Sequence, residues 1–174
     1  MLEARSFLKS LDEAKKVLKE KGAVFKGEYK IHDTIFKSLD PSRGLEKEFL
    51  RLRHNQINIW SEKDFIVAVK NTELEEVGKN SVIPVREEFD AEEEAKKYIE
   101  DNLLYAFTYD YEFDRIGWQY SLGEDEVDLE DIEGNFSIEV KSETEDGLKR
   151  LVELFNMENI LKGPSVVIIR EILK

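Results

Sequence analysis

The sequence has no cysteine. That excludes a disulfide framework and a thiolate metal site. It has no apolar run long enough to span a membrane. The segment from Met1 to Leu11 lacks a long apolar core and a small-residue cleavage pattern, so it does not read as a signal peptide. An excess of positive charge is missing as well. The formal net charge of −13 argues against non-specific binding to nucleic acid or to an anionic membrane, although a local basic pocket is compatible with it. There is no glycine-rich phosphate loop and no nucleophile elbow. The two histidines, His32 and His54, have no metal partner at useful spacing. The acidic run from Glu124 to Glu133 lacks the ligand spacing of an EF-hand and reads as a solvated hairpin. No linker, low-complexity tract or internal repeat is visible. A soluble cytoplasmic protein is the default expectation.

What is present suits a globular chain. Of the 174 residues, 37% are charged and 41% are apolar, enough for one domain over residues 1–174 with a sizeable core. The pattern is organised around Lys47-Glu48-Phe49-Leu50-Arg51-Leu52-Arg53. As a strand it puts Phe49, Arg51 and Arg53 on one face and Leu50 and Leu52 on the other. Ile66 to Lys70, Val82 to Asp90 and Phe136 to Lys141 alternate in the same way.

In chain order, Met1 to Lys9 reads as a strand. Ser10 and Glu13 form a capping-box pattern for a helix carrying Leu11, Ala14 and Leu18, which Gly22 ends. Phe25 to Phe36 has strand character. Lys37 to Gly44 is a loop, and Phe49 to Ile59 reads as a strand, a turn and a second short run. Phe65 to Lys70 is a strand, Thr72 to Asn80 a polar loop, and Val82 to Asp90 a strand with Arg86, Glu88 and Asp90 on one face. Asp90, with Glu93 three residues on, reads as the N-cap of a helix reaching about Leu103. The aromatic alternation from Tyr105 to Phe113 is strong β patterning, with core packing as its role. Gly117 to Leu122 and Val127 to Ile132 form a hairpin, and Phe136 to Lys141 another strand. Ser142 and Glu145 cap a last long helix. Gly163-Pro164 then precedes a final strand, Val166 to Ile169.

Many antiparallel strands with a few helices between them indicate an α+β fold. Charged residues on one strand face and apolar residues on the other suit an antiparallel β-barrel with a wet polar interior and flanking helices.

The order of motifs resembles the CYTH superfamily, which includes class IV adenylyl cyclases, thiamine triphosphatases and related triphosphate-tunnel enzymes. Gly22-Ala23-Val24-Phe25 and Asp33-Thr34-Ile35-Phe36 resemble its early "GA.F … DTYF" stretch. Leu50-Arg51-Leu52-Arg53 resembles "LRIR", and Val69-Lys70 sits where the family has a phosphate-binding lysine. Arg86, Glu88 and Asp90 resemble "R.E.E". Leu129 to Gly134 resembles "LD.VEG", and Phe136-Ser137-Ile138-Glu139 resembles "F.EIE".

The resemblance implies binding and metal-dependent hydrolysis or cyclisation of a triphosphate-bearing small molecule. Arg51, Arg53, Lys70, Arg86 and Arg115 would hold phosphates, since converging cations suit phosphate oxygens. Glu88, Asp90, Glu130 and Glu139 would hold Mg²⁺ or Mn²⁺, which take hard oxygen ligands. No catalytic residue is assigned. The structural alternatives are a surface salt-bridge ladder for the arginines, an N-cap for Asp90 and a surface pair for Glu139 with Lys141. An open barrel would leave edge strands through which a homodimer could form.

Departures from the family's pattern favour a second reading. The Glu-x-Glu-x-Lys places of the first strand fall on Leu2, Ala4 and Ser6, with Glu3 and Arg5 on the opposite face unless the register shifts by one; a shift that brings Glu3 and Arg5 inward would favour the enzyme. Ser137 replaces the first glutamate of "EIE". In the later "K.R" strand Arg115 keeps the first place and Gly117 takes the second. The rival is a catalytically degraded barrel that acts as an anion- or nucleotide-binding or interaction module.

Overall fold

The computed structural model of the chain describes residues 1–74, 78–161 and 163–174, with backbone alone at 74, 79 and 80. It is an α+β structure in which eight antiparallel strands form a barrel. The strands are β1 (Leu2–Leu8), β2 (Val24–Ser38), β3 (Glu48–Ile57), β4 (Phe65–Leu74), β5 (Lys79–Phe89), β6 (Phe107–Leu122), β7 (Asp125–Ile132) and β8 (Asn135–Ser142). Around the ring they run β1-β5-β4-β3-β2-β6-β7-β8. Seven of the junctions are long ladders. The eighth, between β1 and β5, is a short seam of two register pairs, Leu2 with Asn80 and Glu3 with Lys79. Every strand thus has a neighbour on each side, but beyond those two pairs β1 from Ala4 on and β5 from Ser81 on are paired on one side only among the described residues.

Period-2 alternation decides what goes inside. The outward leucines of β3, Leu50 and Leu52, join Val67 and Val69 under helix α2 (Glu92–Asn102), where Ala95 and Ile99 are buried against them. The outward faces of β1, β7 and β8 supply Ala4, Val127, Leu129, Ile138 and Val140. Helix α1 (Asp12–Glu20), through Ala14 and Leu18, and helix α3 (Glu145–Leu154), through Leu148 and Leu151, cover that face. α1 ends as expected, with Gly22 in the left-handed region at φ 69°.

Four local expectations need correction. Residues 166–169 do not form a strand. They belong to a helix, α4 (Ser165–Ile172), although Val-Val-Ile-Ile favours β structure locally. A helix puts Val166 and Ile169 on one stripe, where they are buried against Ile35, Phe49, Phe113 and Ile132. α4 therefore packs across one end of the barrel and makes that half of the interior apolar. Second, Asp90 is not an N-cap: Ala91 holds that position and Asp90 binds Lys63 Nζ at 2.7 Å. Third, the caps of α1 and α3 lie one residue or more further on. Ser10 accepts from the Asp12 N–H instead of capping, and Thr144, not Ser142, accepts from the Gly147 N–H at 3.0 Å. Fourth, the polar loop expected over 72–80 is largely strand. β4 runs on to Leu74 and β5 begins at Lys79, while 75–77 lie outside the described residues. The run from 49 to 59 is likewise one strand as far as Ile57.

Candidate functional site

The half of the barrel that α4 leaves polar holds a cavity of about 140 Å³. The inward side chains of β3 supply Phe49, Arg51 and Arg53, and those of β2 supply Tyr29 and Asp33. Lys70 comes from β4, Arg115 from β6, Asp128 and Glu130 from β7, and Glu139 and Lys141 from β8. Pro164, Ser165 and Val166, at the start of α4, close the lining. Arg51 and Arg53 are inside, each 9% exposed, so the surface-ladder alternative does not apply to them.

The first strand shifts the expected register by one. Ala4 packs outward in the core, while Glu3 and Arg5 line the cavity. Arg5 thus projects inward between Glu130 and Glu139. It donates through Nη1 to Glu130 Oε2 and to Ser137 Oγ (2.8 Å), and through Nη2 to Glu139 Oε2 (2.7 Å).

The interior is a network of paired charges. Arg53 grips Asp33 with two hydrogen bonds of 2.8 Å, and Arg115 bridges Asp33 (3.1 Å) and Glu130 (3.0 Å). Tyr29 donates to Glu130 Oε1 at 2.6 Å. Lys141 lies 2.8 Å from Asp128 and 3.3 Å from Glu139. Burial alone would raise the pKa of Asp33, but the charge and hydrogen bonds of Arg53, helped by Arg51 and Arg115, hold its carboxyl well below the usual range. Glu130 is likewise opposed by burial and brought well below the usual range by Arg115 and Arg5. Asp128 goes the other way: burial raises it, and Lys141 only partly offsets this.

Arg51 shares with Arg5 and Arg115 a buried Nε–H without an acceptor, and differs from both in that no carboxylate is bonded to its guanidinium among the described residues. Burial, then the neighbouring Arg53 charge, pull it down to about 9, with Asp33 only partly compensating.

Arg86, Glu88 and Asp90 are not among the lining residues. Arg86 and Glu88 pair at 2.7 Å, and Glu88 also accepts from Ser61 at 2.7 Å. Arg86 still presses electrostatically on Arg51. The structure therefore brings Glu130 and Glu139 together, and with them Arg51, Arg53, Lys70 and Arg115, while Glu88 and Asp90 stand outside that lining. Asp33, Tyr29, Asp128, Lys141 and Arg5 were not singled out from the sequence as site residues. Their signal was period 2. Asp33 and Tyr29 share a β2 face, Asp128 shares one with Glu130, and Lys141 with Glu139.

Gly117 accounts for the basic residue absent from β6. It pairs with Tyr29 on one side and Glu130 on the other. A Cβ there would sit 2.0 Å from Tyr29 Cζ. The Tyr29 ring lies across the glycine and delivers its hydroxyl to Glu130.

The Mg²⁺ or Mn²⁺ that the resemblance implied does not fit this donor set. Both oxygens of Glu130 accept from cations or hydroxyls, and both oxygens of Glu139 face Arg5 or Lys141. Among the described residues, no three His, Asp or Glu side chains come together as a cation site. Nor is any helix among them long and apolar enough to cross a membrane.

No protein-family model matches the chain, and no curated protein matches it. Solved structures do. A Pyrococcus horikoshii protein aligns with a TM-score of 0.72 at 18% identity, over 98% of each chain. A Hippeastrum protein whose structure is reported with a dominant triphosphatase activity aligns with a TM-score of 0.64 at 16% identity, over 88% of this chain and 85% of its own. The Schizosaccharomyces pombe Mediator head module aligns with a TM-score of 0.53 at 10% identity, over 92% of this chain and 96% of the matched one. At these identities the likeness carries the fold, and the fold is CYTH-like.

Proposed function

We propose that the chain binds a triphosphate-bearing small molecule in this cavity, within a single domain spanning residues 1–174. One observation carries the reading: Arg51 is a buried guanidinium without a bonded carboxylate among the described residues, lining a cavity with Lys70, Arg53 and Arg115. A polyphosphate would supply the missing negative charge. Arg51 and Lys70 would meet it directly. Arg53 and Arg115, fixed by Asp33, would offer their remaining N–H groups, and Arg86 would add a long-range field. Hydrolysis or cyclisation would draw on the same fixed cations, which stabilise charge developing on the transferred group without reorganising. The triphosphatase activity of the Hippeastrum structure supports that outcome by analogy of fold.

A second reading has its own support. Glu130 and Glu139 are already met by side-chain donors, as in a binding module without turnover. The same fold also occurs within the Mediator head module.

The test is titration and turnover of tripolyphosphate, ATP and thiamine triphosphate, with and without Mg²⁺ or Mn²⁺, in the wild type and Arg51→Ala. Phosphate, pyrophosphate and cyclic nucleotide are all measured. Turnover abolished by the substitution supports the enzyme, and Arg51-dependent binding without turnover supports the module. Neither binding nor turnover refutes both.

A further inference from the structure

Asp128 and Glu130 on β7 and Glu139 on β8 line one wall of the cavity. Three cations meet them: Arg5, Arg115 and Lys141. Arg5 is 3% exposed and reaches Glu130 and Glu139 at once, the task a divalent ion performs when it bridges two acidic side chains. Ser137 removes one potential carboxylate from this cluster and instead accepts from Arg5 at 2.8 Å. Arg5 meets Glu130 and Glu139 without any added ion. A divalent cation between these two carboxylates would have to displace a buried guanidinium, and the displacement would leave its positive charge beside the metal.

We infer that Arg5, with Lys141, stands in this chain for the divalent cation, so that the barrel binds its polyphosphate without a metal. The second half of this statement rests on the proposed polyphosphate site. The first half does not.

Measurements on the wild type and on the substitutions Arg5→Gln and Glu139→Gln test it. Mn²⁺ alone is titrated by electron paramagnetic resonance. Inorganic tripolyphosphate is titrated calorimetrically, in EDTA and in Mg²⁺. Arg5→Gln, which keeps a hydrogen-bond donor but removes the charge, is titrated with Mn²⁺ and melted with and without it. The expected result is no specific Mn²⁺ site tighter than about 1 mM in the wild type. Tripolyphosphate should bind in EDTA at least as tightly as in Mg²⁺. Arg5→Gln should gain a Mn²⁺ site about tenfold tighter or better, with Mn²⁺ raising its melting temperature, and Glu139→Gln should remove that site again.

A micromolar Mn²⁺ site in the wild type that Glu139→Gln abolishes would overturn the inference. So would tripolyphosphate binding that requires Mg²⁺, or an Arg5→Gln protein that folds and gains no site. If Arg5→Gln fails to fold, the wild-type titrations still decide. Absence of tripolyphosphate binding in both buffers would refute the polyphosphate site, and the Mn²⁺ titration would then judge the cation substitution alone.

Discussion

Arg51 and Arg53 stand two residues apart on one strand face, with the same exposure, and should respond to the same substitution with opposite signs. Arg53 is held by two hydrogen bonds to Asp33 and packs over Trp60 at 5.9 Å. Arg53→Met would leave Asp33 buried with Arg115 as its remaining bonded partner. Breaking a buried pair costs about 3–5 kcal/mol, and the surviving Arg115 contact puts the expectation near about 2–4.

Among the described residues Arg51 has no such partner, and burial followed by the neighbouring Arg53 charge pulls it down to about 9. A shift of that size corresponds to on the order of 5 kcal/mol at most. The cavity admits water, so about 1–3 kcal/mol is the realistic gain from removing the charge. The sign follows from the direction of the shift. A base whose folded-state pKa is depressed burdens the folded state wherever it is protonated, hence throughout neutral pH. Arg51→Met should therefore raise the urea midpoint and the melting temperature, by about 2–4 °C per kcal/mol for a chain of this length. It should at the same time abolish stabilisation by tripolyphosphate, which at a hundredfold excess over Kd would give the wild type about 2.7 kcal/mol. Urea denaturation of wild type, Arg51→Met and Arg53→Met at pH 7, with and without tripolyphosphate, reads all three quantities. If Arg51→Met is destabilised by more than about 1 kcal/mol, or keeps its response to tripolyphosphate, Arg51 is a structural ion and the reasoning fails.

Three further outcomes follow from the same geometry. Gly117→Ala should cost about 2–4 kcal/mol by displacing the Tyr29 ring, and should be clearly non-additive with Tyr29→Leu in a double-mutant cycle; additive losses would mean the two residues do not compete for space. Asp33 and Glu130 both lie below their ordinary values, so their stabilisation is complete above about pH 5 and is lost as pH falls towards about 2. Asp128 is shifted the opposite way and opposes this only in part, so melting temperature should fall with acid, and fall less steeply in Asp33→Asn; parallel acid profiles would contradict it. Ile169→Ala should cost about 2–5 kcal/mol and Ile168→Ala clearly less, because the helix buries Ile169 and leaves Ile168 only partly covered; the reverse order in thermal melts would restore the strand at 166–169.

The parts of the barrel that could be read in advance are those where composition and period agree. On β3, bulky leucines alternate with arginines, and only one placement buries the leucines under a helix without desolvating arginines against them. β1 gave no such contrast. Its Leu2, Ala4 and Ser6 are a mixed and mostly small set, so the inward face could not be fixed until helices α1 and α3 were seen to cover Ala4. Asp33 was hidden for a related reason, since Tyr29, Ile31 and Ile35 share its face and make it read as core. α4 was misread because local β preference is weaker than the demand of a closed ring for an end plug.

Gly117 shows why loss of a cation cannot be scored from one position. Read alone, a glycine in place of a basic residue removes charge from the site. In the fold, the space it vacates admits Tyr29, whose hydroxyl takes one Glu130 oxygen, while Arg5 takes the other from the strand where acids were expected. Arg5 on β1 thus puts a positive charge on the acidic wall of β7 and β8, and Arg51 is a buried guanidinium with no carboxylate bonded to it among the described residues.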